Sequence, residues 1–116
     1  MMKYDIKIYE NADFESLVID VPEEIYLVVD LVIADIQQDT SGIWLDAVND
    51  VLSKKSSYEE VAGNVCVMEV KEDVTKIVFN FAEEDEEDHC FIETEELKKI
   101  FLLWDEAIEK KYGESN

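Results

Sequence analysis

The sequence predicts an α+β fold: an antiparallel sheet of about four or five strands with three helices packed mainly on one face. Three observations predict it. Short runs of apolar residues alternate with polar ones at a period of two near the start and again past the middle of the chain, as in half-buried strands. Three other segments carry apolar residues at helical spacing, each opened by turn or capping residues. The chain has 116 residues, of which 47% are hydrophobic, so a single domain spanning 1–116 with one core is expected. Surface scaling gives roughly 6,500 Å² for the folded chain against roughly 19,600 Å² extended, enough burial to fold without staples.

The elements follow in order. Tyr4, Ile6 and Ile8 alternate with Lys3, Asp5 and Lys7, which predicts a strand over 3–9. Leu17, Val18, Ile19 and Val21 follow the turn-like Asn11-Ala12-Asp13 and form its hairpin partner. Pro22 ends that strand and suits the first turn of a helix over 22–38, whose Glu23 and Glu24 favour the positive end of the helix dipole. Ile25, Val28, Val29, Val32 and Ile36 fall at helical spacing, but Leu27, Leu31 and Ile33 widen the stripe. Such a helix is largely buried, and its β-branched content leaves a strand as the alternative.

Asp39-Thr40-Ser41-Gly42 reads as a break and N-cap. Trp44, Ala47, Val48, Val51 and Leu52 then make an amphipathic stripe, predicting a second helix over 42–54. The polar residues 53–64 read as a loop. Residues 66–70 and 75–81 alternate across Lys71-Glu72-Asp73, a hairpin signal without the usual glycine. After the acidic run Glu83-Glu84-Asp85-Glu86-Glu87-Asp88 comes a short strand over 89–93, completing an antiparallel meander. Thr94 reads as an N-cap with Glu95 and Glu96 in the first turn. Leu97, Ile100, Phe101, Trp104 and Ile108 form one face of that last helix, Lys110 and Lys111 suit its end, and Gly113 supplies its stop.

Charge narrows the function. Thirty acids against ten bases give a net charge of −20, and every base is lysine. Twenty acids stay unneutralised even if each lysine pairs once, and without arginine few can be held in bidentate pairs. From residue 8 to residue 53 there are eleven acids and no base. Such a surface repels nucleic acid and anionic lipid and attracts basic proteins. No apolar run reaches the roughly 18 to 20 residues of a membrane span, and MMKYDIKIYE carries acids where a signal peptide needs its apolar region. A soluble, cytoplasmic protein is therefore expected.

Catalytic and metal chemistry find little purchase. His89, the sole histidine, sits beside Cys90 with no nucleophile motif around it and reads as a solvated strand-edge residue. Cys66 and Cys90 lie in strands that could be neighbours, but a cytosolic protein keeps both reduced, so buried free thiols are expected. A metal site from Cys66, His89 and Cys90 lacks a Cys-x-x-Cys pair and a fourth ligand. The run 83–88 lacks the ligand spacing and glycine of an EF-hand loop. Gly42, Gly63 and Gly113 are too far apart to cradle a phosphate. No catalytic residue, metal or cofactor is expected, and Trp44 and Trp104 read as core. What remains is binding. Asp46 and Asp50 stand one turn apart on the second helix, where like charges repel. With Asp39 and with Glu83, Glu84, Asp85, Glu86, Glu87 and Asp88 they are the candidate partner-binding residues, and the expected partner is a strongly basic protein.

The segment from Gly42 onward adds a resemblance. Ile43-Trp44-Leu45-Asp46-Ala47-Val48 with Val51-Leu52, then Tyr58-Glu59-Glu60 leading to Gly63-Asn64-Val65-Cys66, then Thr94-Glu95-Glu96-Leu97, resemble small immunity proteins of bacterial polymorphic-toxin and contact-dependent growth inhibition systems. The resemblance covers about 70 residues and implies a non-enzymatic inhibitor that binds the C-terminal toxin domain of a partner, often a nuclease. The alternative is an acidic adaptor or regulatory module that binds a cellular protein through an apolar groove between helices.

Overall fold

The computed structural model describes residues 2–84 and 88–113. Its strands are β1 (Lys7–Glu10), β2 (Leu17–Asp20), β3 (Glu59–Ala62), β4 (Cys66–Val70), β5 (Val74–Phe79) and β6 (His89–Glu93). Its helices are α1 (Leu27–Asp30), α2 (Ile43–Leu52) and α3 (Thr94–Tyr112), with a 3-10 turn at Glu23–Ile25 before α1 and a π-helical segment at Leu31–Ile36 after it. The α+β class and the antiparallel meander hold. The meander is a four-stranded sheet in the order β3-β4-β5-β6, while β1 and β2 form a two-stranded sheet of their own.

Residues 53–64 are not all loop. Glu59 to Ala62 pair with Val70 to Val67, making β3 an edge strand. Two consecutive glutamates hide it from a propensity reading, yet Glu60 points to solvent and the hydrogen bonds come from β4. The first strand is shorter than the predicted 3–9. Lys3 and Tyr4 instead reach the β6–α3 junction, where the Lys3 N–H donates to Glu96 Oε1 at 2.8 Å and the Tyr4 hydroxyl to Glu93 Oε1 at 2.6 Å.

The predicted helix over 22–38 is helical but not uniform. Its buried residues are Ile25, Leu27, Val28, Leu31, Val32 and Ile36. In an α-helix two positions five apart lie about 140° apart around the axis, which would turn Ile36 away from Leu31. The Gln37 N–H donates instead to Val32 O at 2.6 Å, an i to i−5 bond that brings Ile36 back to the core side. The following Gln38 acts as a stub of strand: its Oε1 accepts Leu17 N–H at 2.8 Å and its Nε2 donates to Leu17 O at 2.9 Å. The hairpin is thereby tied to the main core.

Two predicted caps are different devices. Asp39 to Gly42 give α2 no side-chain cap. Ser41 is buried, its N–H and Oγ both donate to the Asp105 carboxylate at 2.7 and 2.8 Å, and its carbonyl accepts Trp44 N–H. Gly42 at φ +48 makes the turn into α2, a conformation that favours glycine. Thr94 begins α3 but does not cap it; its hydroxyl is turned into the sheet, donating to Lys71 O and meeting Thr75 Oγ1 at 2.9 Å. Both threonines are buried, so each hydroxyl satisfies the other.

The helices cover one face of the four-stranded sheet. Cys66, Met68, Val70, Thr75, Ile77, Cys90 and Ile92 are buried on it, and Trp104, Phe101, Leu97 and Ile100 pack into the same core. Trp44 and Trp104 are core residues, 6% and 0% exposed. Cys66 and Cys90 are free and buried. They are not on neighbouring strands, because β5 stands between them, a separation of about 9.6 Å at ordinary strand spacing.

Candidate partner-binding surface

The predicted acids fall into two groups. Asp39 precedes α2 with its carbonyl accepting the Trp104 indole N–H at 2.9 Å, so its backbone is pinned to the core while the residue is exposed. Asp46 is exposed in the first turn of α2, where the dipole favours it. Asp50 is half-buried, and its carbonyl accepts the N–H groups of Lys55 and Ser56. Among the described residues the lysine ion pairs are Lys3–Glu93, Lys54–Glu72, Lys99–Glu96 and Lys111–Glu10, so none neutralises this group.

Glu83, Glu84 and Asp88 are exposed in the β5–β6 connection. Asp85, Glu86 and Glu87 lie outside the described residues. Asp88 accepts from His89 Nδ1 at 2.8 Å, and this hydrogen bond holds its carboxyl below the ordinary range. His89 is half-buried on β6, as a strand-edge reading expects. The C-terminal end of α2 and the acids Glu83 and Glu84 stand at opposite ends of β5. Lys54, just past α2, pairs with Glu72 in the β4–β5 turn, whereas Glu83 and Glu84 follow the far end of β5. The six residues of β5 put about 20 Å between those ends.

A third surface was legible only in part. Among the described residues no helix covers the outer face of the four-stranded sheet. Register places Glu60, Glu69, Lys76 and Phe91 in one row across the four strands, and Ala62, Val67, Val78 and His89 in the next. The signal in the sequence is the polar half of each alternation, which marks outward positions without saying whether anything covers them. Glu60 and Glu69 are like charges directly opposite, a destabilising pair. Tyr58 mitigates it by donating its hydroxyl to Glu60 Oε1 at 2.9 Å, a bond that pushes the phenol up to about 12. Phe91 is 51% exposed, with the His89 ring edge-on at 5.3 Å and the Lys76 ammonium 6.0 Å from its centroid. Beside it, between β6 and the 3-10 turn, lies an open cleft of about 490 Å³ lined by Glu23, Glu24, Tyr26, His89, Cys90 and Phe91.

Among the described residues no group of three or more His, Cys, Asp or Glu side chains is placed to hold a metal ion, and no helix is long and apolar enough to cross a membrane. The arrangement offers carboxylates, an exposed aromatic ring and open clefts, which suits recognition of a cationic surface.

No family model and no solved structure matches the chain. A protein of Bacillus cereus named "Immunity protein" is 34% identical to it over 116 residues, an alignment spanning 98% of this chain and 97% of the relative.

Proposed function

This chain belongs to the immunity-protein family, and from that premise we propose that it is a non-enzymatic, cytoplasmic, single-domain inhibitor that binds and blocks a strongly basic toxin domain of nuclease type. The observation that carries the reading is the net charge of −20 without one arginine. Unneutralised acids cost folding free energy by self-repulsion, and a binding role is what that cost would serve. A nuclease cleft is built to receive phosphates, so a protein surface rich in carboxylates fits the same field. The acids Asp39, Asp46 and Asp50 and those of the 83–88 run supply the attracting charge. Their summed field speeds approach, while closer contacts set partner choice.

A second reading, an acidic adaptor that docks a neutral partner in an apolar groove, has one observation in its favour. Ile6, Ile8, Leu103 and Ala107 line an open depression between the first hairpin and α3. Co-expression tests both. The probe is a basic nuclease-type toxin domain from the same cell. The inhibitor reading expects this chain to restore growth and to suppress nucleic-acid cleavage by the purified domain in a stoichiometric complex. Undiminished killing and cleavage would leave the adaptor reading in its place.

A further inference from the structure

The outer face of the four-stranded sheet is composed for contact rather than for solubility alone. Solubility is already served by a net charge of −20, yet this face keeps an exposed phenylalanine and, two strands away in the same row, a destabilising Glu60–Glu69 pair. Aromatic residues ringed by charge are the composition of interface centres. The cleft next to Phe91 adds two carboxylates, Glu23 and Glu24, on the same side as the ring. Carboxylates that bind an ammonium or guanidinium, with a π face to cover it, form a receptor for a lysine or arginine side chain.

We infer that this edge of the sheet is where the toxin makes its close contact, with Phe91 as the anchor and Glu23 and Glu24 as the charge partners of basic toxin side chains. The inference rests on the inhibitor reading above and assigns it a contact surface. Four strands at about 4.8 Å and five residues at about 3.3 Å give the sheet face roughly 300 Å². A standard interface needs about 800 Å² per partner, so the footprint extends over the cleft and the Glu83–Glu84 side of the β5–β6 connection, which enters β6 at His89. The α2 acids, on the helix-covered side of the sheet, act through their field alone. Lys76 is a cation inside the footprint of a cationic partner, so it opposes binding. A second copy of this chain carries the same net −20 and is repelled.

The test measures association and dissociation rates against that same toxin domain. Phe91→Ala, at a half-exposed site that truncation leaves foldable, is expected to raise Kd at least tenfold through faster dissociation. Glu23→Gln with Glu24→Gln raises it severalfold. Lys76→Ala lowers it severalfold, a gain that no folding defect could mimic. Asp46→Asn with Asp50→Asn slows association without altering dissociation. If the wild type binds while Phe91→Ala and Lys76→Ala stay within twofold of it, the contact surface is wrong and the inhibitor reading stands. If the wild type does not bind the domain, both fall. A wild-type homodimer that Phe91→Ala dissolves would also overturn the inference, since a second copy would then cover the face.

Discussion

The Asp35 carboxylate occupies the space that a side chain on residue 63 would need, and Gly63 is what admits it. Asp35 projects from the π-helical segment to the β3–β4 turn, where its oxygens accept the N–H groups of Asn64, Val65 and Cys66 at 2.7, 3.0 and 2.8 Å. A Cβ on Gly63 would collide with that carboxylate. The contact ties the first helical segment to the start of the sheet, at the end where the acidic β5–β6 connection leaves β5.

Gly63→Ala is expected to lower stability by about 1 to 3 kcal/mol, because the carboxylate must leave its three donors. Asp35→Ala costs about 2 to 3 kcal/mol by leaving those donors unpaired. The two effects are not additive: once Asp35 is gone the collision is gone, and Gly63→Ala adds little. Urea unfolding of the two single variants and the double variant checks this.

Thr94 separates two roles. An N-cap accepts Asp as readily as Thr, whereas a buried hydroxyl bonded to Thr75 and Lys71 does not. Thr94→Ser is therefore expected to be close to neutral, Thr94→Val to cost about 1 to 3 kcal/mol, and Thr94→Asp to cost more by burying a carboxylate. Thermal unfolding of the three variants reads the order directly.

These sites show what the sequence can carry. The α3 stripe from Leu97 to Ile108 and the alternation of β4 and β5 are periodic signals set by burial, and they were legible because each residue's environment follows from its own spacing. Thr94 looked like a cap because capping is a local rule, while its hydroxyl is claimed by Thr75, nineteen residues away in sequence. The edge strand at Glu59 to Ala62 was missed because β4 supplies its hydrogen bonds. The acids were legible one by one. The shared cleft of Phe91, Glu23 and Glu24 depends on topology, which spacing along the chain does not encode.

The pH response has a sign. Hydrogen bonds from Lys3 and from Tyr4 pull Glu93 down to about 2. A depressed carboxyl stabilises the fold above its unfolded value and loses that contribution as pH falls, here from about 4.5 toward about 2. Tyr58 is raised from 10.0 to about 12 by its bond to Glu60, so its contribution is intact below pH 10 and is lost as pH rises through that interval. Glu93→Gln is expected to flatten the acid limb of a stability profile and Glu60→Gln the alkaline limb. Tyrosinate absorbance should show one tyrosine titrating at lower pH in Glu60→Gln than in the wild type.

Burial, with the Asp35 and Asp30 carboxylates, pushes the Cys66 thiol up to about 12. At pH 8 roughly one part in 10⁴ is thiolate, the reactive form. Native protein is expected to leave Cys66 unlabelled by iodoacetamide at that pH and to label it fully in urea. With β5 between Cys66 and Cys90, mild oxidation should give no intramolecular disulfide, read as unchanged mobility on a non-reducing gel.

On the inhibitor reading proposed above, an unneutralised acidic surface delivers this chain to a basic toxin. The direct measurement is the rate of association with the toxin domain as salt rises from about 0.05 to about 0.5 M, over which the Debye length falls from about 14 Å to about 4 Å. The rate is expected to drop more than tenfold while dissociation changes far less. An association rate indifferent to salt would contradict it.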